Sequence, residues 1–189
     1  MLTALDALPD RPRRVLVAGV SGAGKTTLAG RMGVILGVPH TEIDELYHGP
    51  GWQPRADFMS DVEHLAGAAA WATEWQYSAA RPLLAERAEL LVWLDFPVPV
   101  SMSRLVRRTV RRRLRQEELW NGNIEPAFWS FFTDPDHIVR WGWRTRHKLR
   151  SVVPGLELEF PGLCVVRLAS PRDVETWVDN LQHSVASGW

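Results

Sequence analysis

The chain has 189 residues, 46% of them apolar and 23% charged, with 22 basic and 22 acidic side chains and one cysteine. That length suits one domain around a single core, and the zero net charge removes any global argument for a nucleic-acid partner. No run approaches the ~20 apolar residues of a membrane span, the lone Cys164 excludes an internal disulfide, and the opening MLTALDALPDRPRR is the reverse of a secretory signal, so the expected setting is the cytoplasm with no membrane partner.

Val15-Leu16-Val17-Ala18 is a short apolar run stopped at Gly19, the form of a buried strand. After a Gly-rich turn, Leu28, Met32, Ile35 and Leu36 share a helical face, and Gly37 and Pro39 close that helix. His40 to Asp44 is a short second strand candidate, followed by a Gly/Pro/Trp loop from His48 to Pro54. Phe58 to Ala70 reads as helix and Trp71 to Tyr77 as strand. Leu90 to Leu94 is a clear strand ending at Asp95 and broken by Pro97, and Ser101 to Leu119 is a long helix. Residues 120–135 are irregular, Asp136 to Arg150 is helical, and Leu163 to Leu168 is the last strand. A final helix begins near Pro171, with Ser170 as its N-cap and Asp173 in its first turn. Strands alternating with helices predict one α/β domain over residues 1–189, a parallel sheet covered on both faces.

Gly19-Val20-Ser21-Gly22-Ala23-Gly24-Lys25-Thr26 fits G-x-x-x-x-G-K-[ST]. Glycines let the backbone wrap a phosphate with consecutive N–H groups pointing inward, and the following helix adds its dipole. Lys25 reaches the β- and γ-phosphates of ATP, the Thr26 hydroxyl suits Mg²⁺, and Thr27 closes the loop. A chance match arises in on the order of 1% of chains this long, and the flanking strand and helix lower that further. Nucleotide-binding positions are therefore Gly19, Ser21, Gly22, Ala23, Gly24, Lys25, Thr26 and Thr27.

Such sites also need a carboxylate near the metal, at the end of an apolar strand. Asp95 fits that position beside Thr26, and Asp44 emerges at the same carboxyl edge, where ligands bind in open α/β sheets; either could instead cap a helix or sit in a solvated turn. Seven arginines fall between Arg104 and Arg115, with more basic residues from Arg140 to Arg150. Arginine forks can stabilise a transferring phosphoryl group, track a nucleic-acid backbone, or lie solvated over apolar surface. Seven exceed what one active site needs, so two or three are expected to face phosphates. The histidines lack metal-ligand spacing, Cys164 reads as core, and Trp52 and Tyr77 are candidates to stack on an acceptor.

Four segments resemble the adenylate-kinase-like small P-loop proteins called DNA topology modulation proteins, within the nucleoside-monophosphate-kinase-like family: GVSGAGKTT, IDELYHGPGW, LLVWLDFP, and the arginine helix followed by RWGWRTRHKLR. The resemblance spans about Val15 to Arg150. It implies five parallel strands in the order 2-3-1-4-5 and a lid over about 104–150. Asp44 would act at the acceptor side with Trp52 and Tyr77, Arg108, Arg112, Arg140 and Arg144 would stabilise charge, and Arg172 would lie beside the adenine. Relatives carry D-G-N-Y where this chain reads Glu74-Trp75-Gln76-Tyr77, so a tryptophan replaces the glycine. The function implied is ATP- and Mg²⁺-dependent phosphoryl transfer to a small molecule or nucleotide; the alternative is a nucleotide-dependent DNA- or RNA-binding switch, which neutral charge does not favour.

Overall fold

The computed structural model describes residues 1–124 and 138–189. Four parallel strands form one sheet among them: β1 (Arg14–Gly19), β2 (Trp71–Glu74), β3 (Leu90–Leu94) and β4 (Cys164–Leu168), in the order β2-β1-β3-β4. The strands are largely buried on both faces, as a sheet covered on two sides requires. Alternate residues serve different cores. Val15, Val17, Leu90, Val92, Leu94, Val166 and Leu168 pack with α1 (Lys25–Leu36) and the C-terminal helix, while Leu16, Ala18, Leu91, Trp93 and Val165 pack on the opposite face. That second face is covered by α2 (Ile43–Tyr47), α3 (Phe58–Gly67), α4 (Arg81–Arg87) and residues 149–163.

The expectation of five strands is corrected to four. The predicted second strand shrinks to one parallel bridge, His40 to Ala72, flanked by Ala72 N–H donating to Pro39 O at 2.8 Å and Thr41 N–H to Ala72 O at 3.0 Å. Pairing stops there because the Ile43 amide turns to the buried Glu74 carboxylate, donating to Oε2 at 3.0 Å, and α2 starts at that residue. Asp44 consequently lies in a helical first turn, not at a strand end. If the bridge is counted as a vestigial strand, the remaining order follows the expected one.

Strand β2 ends at Glu74, three residues early: the Gln76 amide folds back onto Glu74 O at 3.0 Å, and Tyr77 then takes a left-handed φ of 57°. Helix α4 was not anticipated; Pro82 sits in its first turn, where a missing N–H costs nothing. Helix α5 runs over Val98–Arg115 and stops when Gln116 turns left-handed, so Leu119 falls outside it. The expected helix from Asp136 is described over Ile138–Arg144 (α6), and its start and most of the irregular 120–135 segment lie outside the described residues. A short α7 (Leu156–Glu159) precedes β4.

Helix α8 (Pro171–Ala186) has the anticipated cap. Ser170 Oγ accepts the Asp173 amide at 3.2 Å, and Asp173 Oδ2 accepts the Ser170 amide at 3.0 Å, an arrangement worth about 1 kcal/mol. The edge of β4 is closed by the N-terminal segment, where the Leu2 amide donates to Val165 O at 2.7 Å and Arg167 N donates to Leu2 O at 2.9 Å, covering an otherwise open row of backbone groups. No helix among the described residues is long and apolar enough to cross a membrane.

Candidate active site

Strand β1 delivers Gly19 to the carboxyl edge of the sheet, and the loop returns into α1 at Lys25. Gly22 and Gly24 both hold positive φ, 82° and 100°, which only glycine adopts without strain. Helix α1 begins with no side-chain cap and no acidic residue in its first turn, so its leading amides are left for an external anion. The loop lies tight against α5: a Cβ on Gly22 would stand 2.3 Å from Ser101 O, and one on Gly142 of α6 would meet Leu105 Cδ2 at 2.6 Å and Ser21 Cβ at 3.6 Å. Glycine at both positions lets α5, α6 and the loop close on one another.

Two carboxylates and three cations meet beside this loop. Desolvation holds the Lys25 ammonium below the usual lysine range; Asp44 and Glu74 oppose that shift, while Arg108 and Arg81 reinforce it. Both elements that carry the carboxylates follow from the fold, Glu74 ending the strand next to β1 and Asp44 opening α2.

Asp44 is gripped through one oxygen. Gln76 Nε2 and the Tyr77 hydroxyl each donate to Oδ1 at 2.6 Å. The Tyr77 oxygen lies 3.1 Å from His48 Nε2, and since that hydroxyl donates to Asp44, His48 is assigned as the Nε2–H tautomer donating to it. Burial, opposed by Asp44, depresses the His48 imidazolium, in keeping with a neutral ring. Burial is also the main force raising the Tyr77 phenol far above its ordinary range, with the Asp44 charge next. Tyr77 stacks on Tyr47 with centroids 3.9 Å apart. No described residue hydrogen-bonds Asp44 Oδ2.

Glu74 is 3% exposed. Burial pushes its carboxyl up, but the His40 ring, the Ile43 amide and the Thr26 hydroxyl outweigh that and leave it below the usual range. Its Oε1 is buried with no closer partner than His40 Nε2 at 3.5 Å. The hydrogen bond to Glu74 is the main cause raising the His40 imidazolium, against burial. A histidine raised in the folded state stabilises fully below its unfolded value of about 6.5 and loses that contribution as pH climbs through the folded value. Glu74, depressed, loses its share only on the acid side. Thermal stability of the metal-free protein is therefore expected to decline as pH rises from about 6.5, and His40→Gln to flatten that limb; an unchanged slope in the variant would refute the pairing.

Asp95, expected beside a metal with Thr26, is otherwise engaged. Arg150 Nε donates to Oδ1 at 2.7 Å, and Arg167 Nε and Nη2 donate to Oδ2 at 2.9 and 2.6 Å. The carboxylate near Thr26 is instead Glu74, whose buried Oε1 has only His40 Nε2 beside it, at 3.5 Å.

Of the arginine helix, Arg108 is half-buried near Lys25, and Arg112 lies over the Trp120 ring at 5.9 Å. Arg140 and Arg144 are exposed on α6, and Arg172 is exposed in the first turn of α8. Trp52 joins a latch between residues 42–52 and 120–124: Asn123 Oδ1 accepts the Trp52 amide at 3.0 Å, Asn123 Nδ2 donates to Gly49 O at 2.9 Å, and Trp120 Nε1 donates to Glu42 Oε2 at 2.8 Å. Sequence reasoning missed Gln76, His48, Trp120 and Asn123 as site elements, since nothing in their spacing marks them. Glu74 did carry a signal, a carboxylate ending an apolar strand.

No protein-family model matches the chain, and no curated protein matches its sequence. Solved structures do. Shikimate kinase from Acinetobacter baumannii in complex with shikimate aligns with a TM-score of 0.53 at 17% identity, covering 93% of this chain and 94% of that one. Shikimate kinase from Bacteroides thetaiotaomicron aligns at 0.53 and 14% identity, over 93% and 99%. The fold is shared with these two kinases. The finer resemblance to the DNA topology modulation group stays with the sequence segments that carry it.

Proposed function

We propose that this chain transfers the γ-phosphoryl group of ATP to a hydroxyl of a small acceptor. The observation that carries the reading is the Asp44 carboxylate: it is fixed through Oδ1 by Gln76 and Tyr77, open at Oδ2, and within the field of the P-loop Lys25. An oriented carboxylate beside a phosphate cradle is what proton removal from an attacking hydroxyl requires. The solved shikimate kinases, with the same fold over nearly the whole chain, support that reading.

The residues fit the group they would hold. Positive-φ glycines and uncapped amides suit phosphate, and the Glu74 carboxylate, whose buried Oε1 lacks a close hydrogen-bond partner, suits Mg²⁺ together with the Thr26 hydroxyl. ATP with magnesium supplies, when bound, the phosphoryl group and neutralisation of its charge. Within the protein, Lys25 and Arg108 hold phosphate oxygens, Glu74 and Thr26 orient the metal, and Asp44 accepts the acceptor proton at Oδ2. Arg112, Arg140 and Arg144 lie on the lid segment of about 104–150 and close over the phosphates, excluding water. Trp52 and Tyr77 wall the acceptor side, and Arg172 flanks the adenine. Residues 1–189 act as one domain with its setting in the cytoplasm.

The test is ADP release from Mg·ATP by wild type and Lys25→Ala, each alone and with nucleoside monophosphates, nucleosides and hydroxylated metabolites. Acceptor-stimulated release is expected, and Lys25→Ala is expected to lose tight nucleotide binding with its fold intact. Wild-type affinity in Lys25→Ala would remove the P-loop assignment. Binding of ATP without stimulation by any acceptor, together with DNA affinity falling steeply with salt, would favour the nucleic-acid switch.

A further inference from the structure

Among the described residues, Arg81 is a half-buried cation beside the site with no carboxylate partner. Arg81 opens α4, directly beyond the β2 edge that carries Glu74, Gln76 and Tyr77. Its guanidinium carbon stands 4.7 Å over the Trp75 ring, and the Trp75 indole N–H donates to Arg81 O at 3.0 Å, fixing ring and backbone together. Trp75 is itself 3% exposed and packed in the core. The Arg81 Nε is buried without a hydrogen-bond partner. No carboxylate among the described residues forms an ion pair with it, and burial alone lowers its guanidinium from the ordinary range. Other partly buried arginines are paired with acids, as Arg14 is with Glu89 and Arg55 with Asp61.

A desolvated guanidinium without a counter-ion is costly unless a ligand supplies one. The Arg81 amide donates to Tyr77 O at 3.1 Å, and the Tyr77 hydroxyl grips Asp44, so that ligand sits at the same site. Lys25 and Arg108 already serve the nucleotide phosphates, which leaves Arg81 for the other substrate. The tryptophan in place of glycine is thus a platform: its buried ring seats a planar, bidentate fork.

We propose that Arg81, seated on Trp75, binds the anionic end of the phosphoryl acceptor, so that the acceptor is a small hydroxylated acid, carboxylate or phosphate monoester, and not a neutral polyol or nucleoside. This rests on the kinase reading above. It names the acceptor's charge and the residue that selects for it. The guanidinium holds the acid group while Asp44, on the neighbouring segment, addresses the hydroxyl.

The experiment compares matched acceptors: an aldonate against its alditol, and a nucleoside monophosphate against its nucleoside, with wild type, Arg81→Lys and Arg81→Met. The two pairs separate carboxylate from phosphate. Wild type is expected to use one of the acids and not its neutral partner. Arg81→Met should raise KM for that acid about 10- to 100-fold, the worth of a charge-assisted fork. Its kcat should change less, its KM for ATP should be unaffected, and Arg81→Lys should recover part of the loss. Equal use of a neutral acceptor, or an unchanged KM in Arg81→Met, overturns the assignment. Calorimetric binding of the same compounds to Mg·ADP-loaded protein separates the two readings. A contrast between acid and neutral partner that Arg81→Met abolishes, without phosphoryl transfer, keeps Arg81 and removes the kinase; no contrast in binding removes Arg81 whatever the turnover.

Discussion

Asp44→Asn is expected to lower acceptor-stimulated turnover by about 10²- to 10⁴-fold, the range for a positioned general base, with ATP affinity unchanged. The substitution is nearly isosteric. The asparagine carbonyl can still accept from Tyr77 and Gln76, which both address Oδ1 in the native protein. What replaces the open Oδ2 is an NH₂ group, a donor that cannot take a proton from an attacking hydroxyl. Loss of turnover with retained melting temperature and retained ATP binding therefore isolates proton removal. Turnover within about threefold of wild type, against the expected ~10² or more, would make Asp44 a structural anchor for Tyr77 and Gln76. Steady-state rates on wild type and variant at saturating ATP decide it.

The P-loop was legible because its chemistry demands contiguous residues: glycines, lysine and threonine must follow one another along eight positions of chain. The carboxylate proposed for the metal was not, because its identity depends on which way each carboxylate turns once the strands are paired. Asp95 and Glu74 both end apolar strands that pair with β1. Only the fold shows that Asp95 faces β4, where Arg167 and Arg150 absorb its charge, while Glu74 is turned toward α1 and the Ile43 amide. The same dependence cost the second strand. The residues from His40 to Asp44 are acceptable in either form, and a carboxylate 31 residues away decided the outcome.

The arginine helix shows how far counting alone reaches. Seven arginines exceed the need of a phosphate site, and Arg104, Arg107, Arg111 and Arg115 are exposed, whereas Arg108 is placed near Lys25 and Arg104 reaches the loop, its Nη1 donating to Ala23 O at 3.5 Å. Arg81 could not be singled out from sequence. Its significance lies in the absence of an acid partner and in the ring beneath it, neither of which leaves a mark along the chain.

Gly22→Ala is expected to damage stability and nucleotide binding together, and for two separable reasons. The left-handed φ of 82° costs a side chain about 1–2 kcal/mol. The new Cβ would then stand 2.3 Å from Ser101 O and 2.9 Å from Leu105 N. Both are backbone atoms of α5, which cannot swing aside as a side-chain tip would, so either the loop or the helix must shift. Together the two effects should cost about 3–5 kcal/mol, or roughly 10 °C in melting temperature for a chain of this size. Displaced amides would weaken ATP binding in parallel. Gly51→Ala is the control, since it shares a positive φ of 68° but its Cβ meets nothing within 4 Å, so only the conformational cost of about 1–2 kcal/mol applies. A Gly22→Ala protein as stable as Gly51→Ala would mean that the loop does not lie against α5 in solution, and with it would go the placement of Arg108 beside Lys25.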